Sequence, residues 1–241
     1  MAGQVKSYKD ISPDNADDAA YIAIVRRIAP YTMTGSDGLD ATYALFQAVR
    51  YVTQNKIPGD IVECGVWRGG SMMLIAAALL HWGDTSRALY LYDTFAGMTE
   101  PDDVDIDYDG RAMKPIWKRI TKDKQLMGFG GSEEAVRENM GLTGYPEELM
   151  HFVKGDVLDS IPARAPAQIA VLRLDTDWYK STLHELNHLY DRVAPHGVVI
   201  IDDYGWCRGA RQATDEFFRD RPFKPMLHRV DQGPRLLVKP A

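Results

Sequence analysis

Apolar positions in the first fifty residues recur at helical spacing, and after residue 60 they condense into short unbroken runs. The pattern predicts a helix from Asp17 to about Arg27, an interruption at "APYTMTGS" (29–36), and a second helix carrying Leu39, Tyr43, Phe46, Val49 and Val52 on one stripe. The later runs are too short for helices and rich in β-branched or aromatic residues. They read as strands at "DIVECGV" (60–66), "ALYLYDTF" (88–95), "HFVKGDV" (151–157), "QIAVLRLDTD" (168–177) and "VVII" (198–201). Helical patterns fall between them: Met72 to Leu80, a helix opened by Ser132 as N-cap, one ending near Val193, and one from about Gly209 to Phe218. Strands alternating with helices predict a mostly parallel sheet covered on both faces. "PMLHRV" and "RLLVKP", separated by Asp231 to Gly233, predict a terminal antiparallel hairpin. Residues 96–131 are acidic, weakly periodic and punctuated by Gly and Pro, with a short helix around Trp117 to Ile120; that length predicts a lid over a site.

Composition narrows the class. The 241 residues are 45% hydrophobic and 26% charged with a net charge of −6, which fits one α/β domain spanning 1–241, with 1–58 as a helical layer. No dense run of Lys and Arg gives nucleic acid an electrostatic hold. The longest apolar run, "MMLIAAALL", is too short for a bilayer and the first residues lack a signal-peptide core, so membranes are not expected and the cytoplasm is the default. Two cysteines, Cys64 and Cys207, form neither a disulfide framework nor a metal-ligand pattern.

The acids carry the chemistry. In an open parallel sheet all strands point their C-terminal ends at one edge, where ligands bind. Glu63, Asp93, Asp156, Asp175 with Asp177, and Asp202 with Asp203 stand at those ends. The first strand–helix turn, "VECGVWRGGS", is not a dinucleotide fingerprint: Glu63 occupies the first Gly position and would repel a pyrophosphate. A cationic or zwitterionic ligand suits it, which points to S-adenosylmethionine, with Asp93 toward the ribose diol and Asp156 toward the adenine amine. Asp175, Asp202 and Asp203 converge from adjacent strands. Burying them unpaired would be costly, so they read as oxygen ligands for a hard divalent cation such as Mg²⁺, the missing positive charge.

Taken together, "YTMTG", "DIVECGVWRGGS", "YLYDTFAGM", "FVKGDV", "LRLDTDWYKST" and "GVVIIDDYG" through "GARQATDEF" resemble the macrocin O-methyltransferase family, metal-dependent enzymes that methylate sugar or phenolic hydroxyls on macrolide and aminocoumarin antibiotics. The resemblance implies the class I methyltransferase fold, a seven-stranded Rossmann-like sheet whose last two strands form an antiparallel hairpin. It implies that Asp175, Asp202 and Asp203 hold the metal and that Asp177 is the general base, with Asp175 beside it in the catalytic group. It assigns Glu63, Gly65, Ser71, Asp93, Ser132 and Asp156 to the methyl donor, with Thr32 and Met33 closing over it. It also implies a small hydroxylated acceptor and a homo-oligomer, a dimer or larger. Trp67 departs from the family pattern, where a small residue is common.

Other readings stay open. "HELNH" (184–188) matches the H-E-x-x-H zinc signature, but Leu183, Leu186, Tyr190 and Val193 make the apolar stripe and put His184, His188 and Asp191 on the opposite, solvated face. A noncatalytic donor-binding partner protein is the alternative from a different class, and an NAD-linked oxidoreductase is weakened by Glu63. Trp178, Tyr179, Tyr204 and Trp206 serve packing or the acceptor equally well. Arg208 and Arg211 are expected to pair with Asp215, with contact to an acidic acceptor as the alternative, and the run Asp102 to Asp109 to be a solvated loop, with contact to substrate as the alternative.

Overall fold

A computed structural model describes residues 16–33, 39–122 and 130–241. Parts of the expected helical layer (1–15 and 34–38, including the end of "YTMTG") and of the expected lid (123–129) lie outside the described residues.

The chain forms seven strands, β1 (Asp60–Cys64), β2 (Leu89–Asp93), β3 (Met150–Lys154), β4 (Ile169–Leu174), β5 (Val193–Ile201), β6 (His228–Arg229) and β7 (Arg235–Val238). They share one sheet in the order β3-β2-β1-β4-β5-β7-β6. β1 to β5 run parallel, and β7 returns antiparallel between β5 and β6, as the hairpin pattern requires. This is the class I methyltransferase sheet, reversing direction on either side of β1 and β4, where a crevice opens at the strand tips.

Strand alternation sorts side chains onto two faces. Ile61, Val171, Val198 and Ile200 face one core with α1 (Ala16–Ile28), α2 (Asp40–Gln54), α3 (Gly70–His81) and α5 (Glu133–Gly141). Val62, Leu172, Leu174, Val199 and Ile201 face the other with α7 (Tyr179–Leu189) and α8 (Arg208–Arg219). α3 is apolar almost all round because it is enclosed, with α1 and α2 packed against it. Two more helices, α4 (Met113–Lys122) and α6 (Val157–Ser160), complete the set among the described residues.

Three expectations change. The helix ends at Leu189 and Val193 opens β5, since the Tyr190–Arg192 turn reverses the chain and Val193 pairs with Ile169 of β4. The strand tips are trimmed by two or three residues because Gly65, Gly155 and Asp177 take positive φ and turn the chain out of the ladder. The acidic run is not a solvated loop: Asp105 is only 1% exposed. Its carboxylate accepts N–H bonds from Asp102 and Tyr179, both at 2.8 Å, and so caps the start of α7. Asp107 accepts from the Arg111 backbone, pairs with its guanidinium, and bridges to Cys207. Much of the 96–131 segment is thus stapled to the sheet's C-terminal edge. No helix is long and apolar enough to cross a membrane among the described residues.

Leu172 is fully buried in the α7–α8 core. Leu172→Ala should cost about 2–5 kcal/mol, the usual range for a buried Leu truncation; urea unfolding monitored by circular dichroism would show it as a lower midpoint at unchanged slope.

Candidate active site

A cavity of about 800 Å³ opens at the C-terminal ends of the parallel strands. Gly65, Ser71, Asp93, Asp156, Asp175, Asp177, Asp202 and Asp203 line it, as do Thr32 and Met33. Glu63 and Ser132 do not.

The first turn depends on close backbone approach. Gly65 has φ +83° and lies so near the Asp175 carbonyl that a Cβ would overlap it. The same turn is held by Asp93, whose Oδ2 accepts the N–H groups of Val66 at 2.7 Å and Trp67 at 3.0 Å while Oδ1 accepts that of Phe95 at 2.7 Å. Asp93 therefore fixes the loop over the cavity, with both acceptor positions of Oδ2 spent on the turn and the Thr94 hydroxyl 3.4 Å from Oδ1. Trp67, the departure from the family pattern, is accommodated at φ +50°. Ser132 caps α5 by accepting the Ala135 N–H at 3.3 Å, as its sequence context predicts. Asp156 caps α6 through the Leu158 N–H at 3.0 Å and still faces the cavity.

The sequence-based expectation that only a metal ion could neutralise the strand-tip acids is incomplete, because a guanidinium stands among them. Arg173, 1% exposed, is in register with Glu63 on β1 and shares its face. Its NH1 reaches Glu63 at 2.5 Å and Asp175 at 2.6 Å, and NH2 reaches Asp202 at 2.7 Å. The signal was present in "VLRLD": a charged residue inside an otherwise apolar buried strand needs a partner. One cation still leaves the group acidic. Glu63, Asp175, Asp177, Asp202 and Asp203 act on one another, and burial, the largest cause, pushes Glu63 and Asp177 up to about 8 and Asp175 to about 7; Asp203 is raised well above the usual range. For Glu63 and Asp175 the Arg173 charge opposes the rise, and neighbouring carboxylates add to it. Glu63 Oε1 meets Arg173, while Oε2 is buried without a hydrogen-bond partner.

Oxygen atoms of Asp175, Asp202 and Asp203 lie within 4.8 Å of one another. An all-oxygen set with surplus negative charge fits a hard divalent ion. Asp177 sits at φ +66°, its backbone N–H donates to Asp203 Oδ2 at 3.1 Å, and its carboxylate groups with Asp203 and Cys207, so that Asp203 is shared between that group and the all-oxygen one. The zinc signature dissolves: His184 bonds the Ile161 carbonyl, its ring packs on His188 at 4.4 Å, and neither belongs to a potential metal cluster among the described residues. Its middle acid is the surprise. Glu185 is fully buried, its pKa pushed to about 8 by burial, and it accepts the Thr176 hydroxyl at 3.0 and 3.2 Å. Thr182, Glu185, Leu186 and Leu189 share the inward face, a spacing that marks Glu185 as internal.

Comparison with known proteins now has a geometry to meet. The macrocin O-methyltransferase family model matches residues 14–235. The chain belongs to that family. Among curated members it is 36% identical over 186 residues to an 8-demethyl-8-(2,3-dimethoxy-α-L-rhamnosyl)-tetracenomycin-C 4'-O-methyltransferase of Streptomyces olivaceus, covering 75% of this chain and 66% of that one. It is 34% identical over 187 residues to a demethyldecarbamoylnovobiocin O-methyltransferase of Streptomyces niveus, covering 78% of this chain and 67% of that one. The chain thus spans about two thirds of the length of these relatives. The solved structure of the O-methyltransferase NovP superposes with a TM-score of 0.74 at 30% identity, covering 88% of this chain and 83% of that one. The macrocin O-methyltransferase resemblance seen in the strand-tip motifs is therefore a family relationship.

The raised carboxyl groups give a pH prediction. Each folded pKa lies above the unfolded value near 4, so the metal-free native state binds more protons than the unfolded chain, and stability falls as pH rises from about 4 through 7–8. Thermal melts in EDTA between pH 5.5 and 8.5 should show a falling midpoint, with Mg²⁺ restoring more of it at pH 8.5 than at pH 5.5. A flat or rising metal-free profile would contradict the charge balance described.

Proposed function

We propose that this protein is an S-adenosylmethionine-dependent O-methyltransferase that uses Mg²⁺ and methylates a hydroxyl, on sugar or phenol, of a glycosylated secondary metabolite. The observation that carries the reading is the placement of Asp177 against the Asp175–Asp202–Asp203 group inside a cavity bounded by the Asp93-held turn. Family membership supports it: the two curated relatives named above methylate a tetracenomycin rhamnoside and a novobiocin precursor by their own descriptions.

When bound, the donor supplies an electrophilic methyl group and the divalent ion lowers the pKa of an acceptor hydroxyl. The chain's own residues do the rest. Asp175, Asp202 and Asp203 would hold the ion, and Arg173 keeps Asp175 and Asp202 oriented from behind. Asp93, Asp156 and Gly65 shape the donor side, with Thr32, Met33 and Ser71 lining the same cavity. Asp177 takes the hydroxyl proton as the new C–O bond forms and the C–S bond breaks. Its burial-raised pKa suits it to that task near neutral pH. Trp178 closes the floor with its indole N–H on the Thr99 carbonyl at 3.0 Å and so serves both packing and the cavity wall.

A noncatalytic donor binder has no use for a base beside a metal site, which favours the enzyme. The test is methyl transfer to a panel of glycosylated natural products with and without EDTA. Activity should vanish on chelation and return with Mg²⁺, and Asp202→Asn should behave as chelation does. Chelator-indifferent turnover would refute the metal role. Asp177→Asn should lower kcat by about 10²–10⁴, the range of general-base catalysis, while Mg²⁺ affinity measured by calorimetry changes little; equal loss of both would reassign Asp177 as a ligand.

A further inference from the structure

Asp215, expected to pair with Arg208 and Arg211, accepts the Tyr204 hydroxyl at 2.8 Å instead, while Arg211 Nε donates to the Tyr204 carbonyl at 3.1 Å. That is an ordinary surface arrangement. Glu185 is not. Fully buried on the inward face of α7 with Leu186 and Leu189, it does not line the cavity. No cation pairs with it among the described residues, and the charges that act on it, those of Asp175 and Asp156, share its sign. Both of its carboxyl oxygens meet a single group, the Thr176 hydroxyl, at 3.0 and 3.2 Å.

Such an acid weakens a fold. Burying a carboxyl group with one neutral hydroxyl for a partner costs more than the hydrogen bond contributes, and an apolar side chain of similar length would pack there without that penalty. The reason for an acid is therefore sought in its partner. Thr176 stands between Asp175 and Asp177 and lines the cavity. The start of α7 grips it at three points: Glu185 accepts its hydroxyl, and its carbonyl accepts the Trp178 N–H at 2.8 Å and the Ser181 hydroxyl at 3.3 Å. Asp177 follows at φ +66°, a left-handed conformation that is unfavourable for a residue with a Cβ and persists only where its surroundings enforce it. Its N–H reaches Asp203 Oδ2 at 3.1 Å, so any slip of the Thr176 turn moves Asp177 against the strand-tip group.

We infer that Glu185 is a positioning residue: by holding the Thr176 hydroxyl it sets where Asp177 stands relative to Asp175, Asp202 and Asp203. This rests on the methyl-transfer reading and adds to it an acid on the buried side of the sheet that lowers stability while it specifies geometry.

Two substitutions separate this role from plain packing. Glu185→Met removes the acceptor at nearly constant length, and Glu185→Gln keeps it. Glu185→Met should lower kcat for methyl transfer about tenfold to a hundredfold, as a small misplacement of reacting groups does, with both KM values unchanged. Its urea midpoint at pH 7 should equal or exceed that of the wild type, because the half-buried Thr176 can give its hydroxyl proton to water in the cavity. Glu185→Gln should restore kcat. Wild-type kcat in Glu185→Met, a midpoint that falls along with kcat, or no rescue by Glu185→Gln overturns the inference. Amide hydrogen exchange over residues 174–179, in EDTA and without donor or acceptor, reads the same geometry independently of turnover. Exchange should be faster in Glu185→Met than in the wild type or Glu185→Gln, and equal rates in all three overturn the inference. A wild-type protein that methylates no acceptor sinks the functional reading alone, and the exchange rates still decide whether Glu185 holds the turn.

Discussion

One buried guanidinium organises the strand tips. Arg173 sits at the centre of the sheet with its charge fully desolvated, which is tolerable only because Glu63, Asp175 and Asp202 surround it at hydrogen-bond distance. Such a group contributes little net stability against an apolar alternative, but removing one partner is expensive, so the arrangement specifies geometry rather than strength. It brings acids from β1, β4 and the end of β5 to one point. The remaining carboxylates outnumber that one cation, and burial raises the pKa of Glu63, Asp175, Asp177 and Asp203.

Backbone devices finish what Arg173 begins. Gly65 permits the β1 turn to touch the Asp175 carbonyl, Asp93 ties that turn down with two N–H bonds, and Asp177 adopts a left-handed conformation to stand beside its neighbours. Thr176, held by the buried Glu185, is the peg between Asp175 and Asp177. On the far side Asp105 caps α7 and anchors the acidic segment.

Much of this was legible in the residues. Short apolar runs, helical stripes and the terminal hairpin pattern indicate a mostly parallel sheet, and acids at successive strand ends locate the cavity, because those signals are local. What escaped depends on tertiary pairing. Arg173 lies inside an apolar run, so from the sequence a metal ion looks like the sole source of positive charge. Glu63 faces Arg173 instead of the cavity because register, invisible to periodicity, set them side by side. Glu185 was masked by the two histidines of a zinc-like signature, and Asp105 by the acidity of its neighbours, although each ends up capping or pegging a turn. Ser132 is readable as a cap, since capping is also a local property, whereas Asp156 reads as part of a strand and its capping of α6 emerges only in the structure.

The central claim is that the strand-tip acids exceed what Arg173 can neutralise and give up protons to take a hard cation. Calorimetric titration of Mg²⁺ near pH 7, repeated in buffers of different ionisation enthalpy, measures that exchange directly. The account predicts uptake at one site with net proton release, both lost in Asp203→Asn. Uptake without proton release, or none at all in a folded protein, would contradict it.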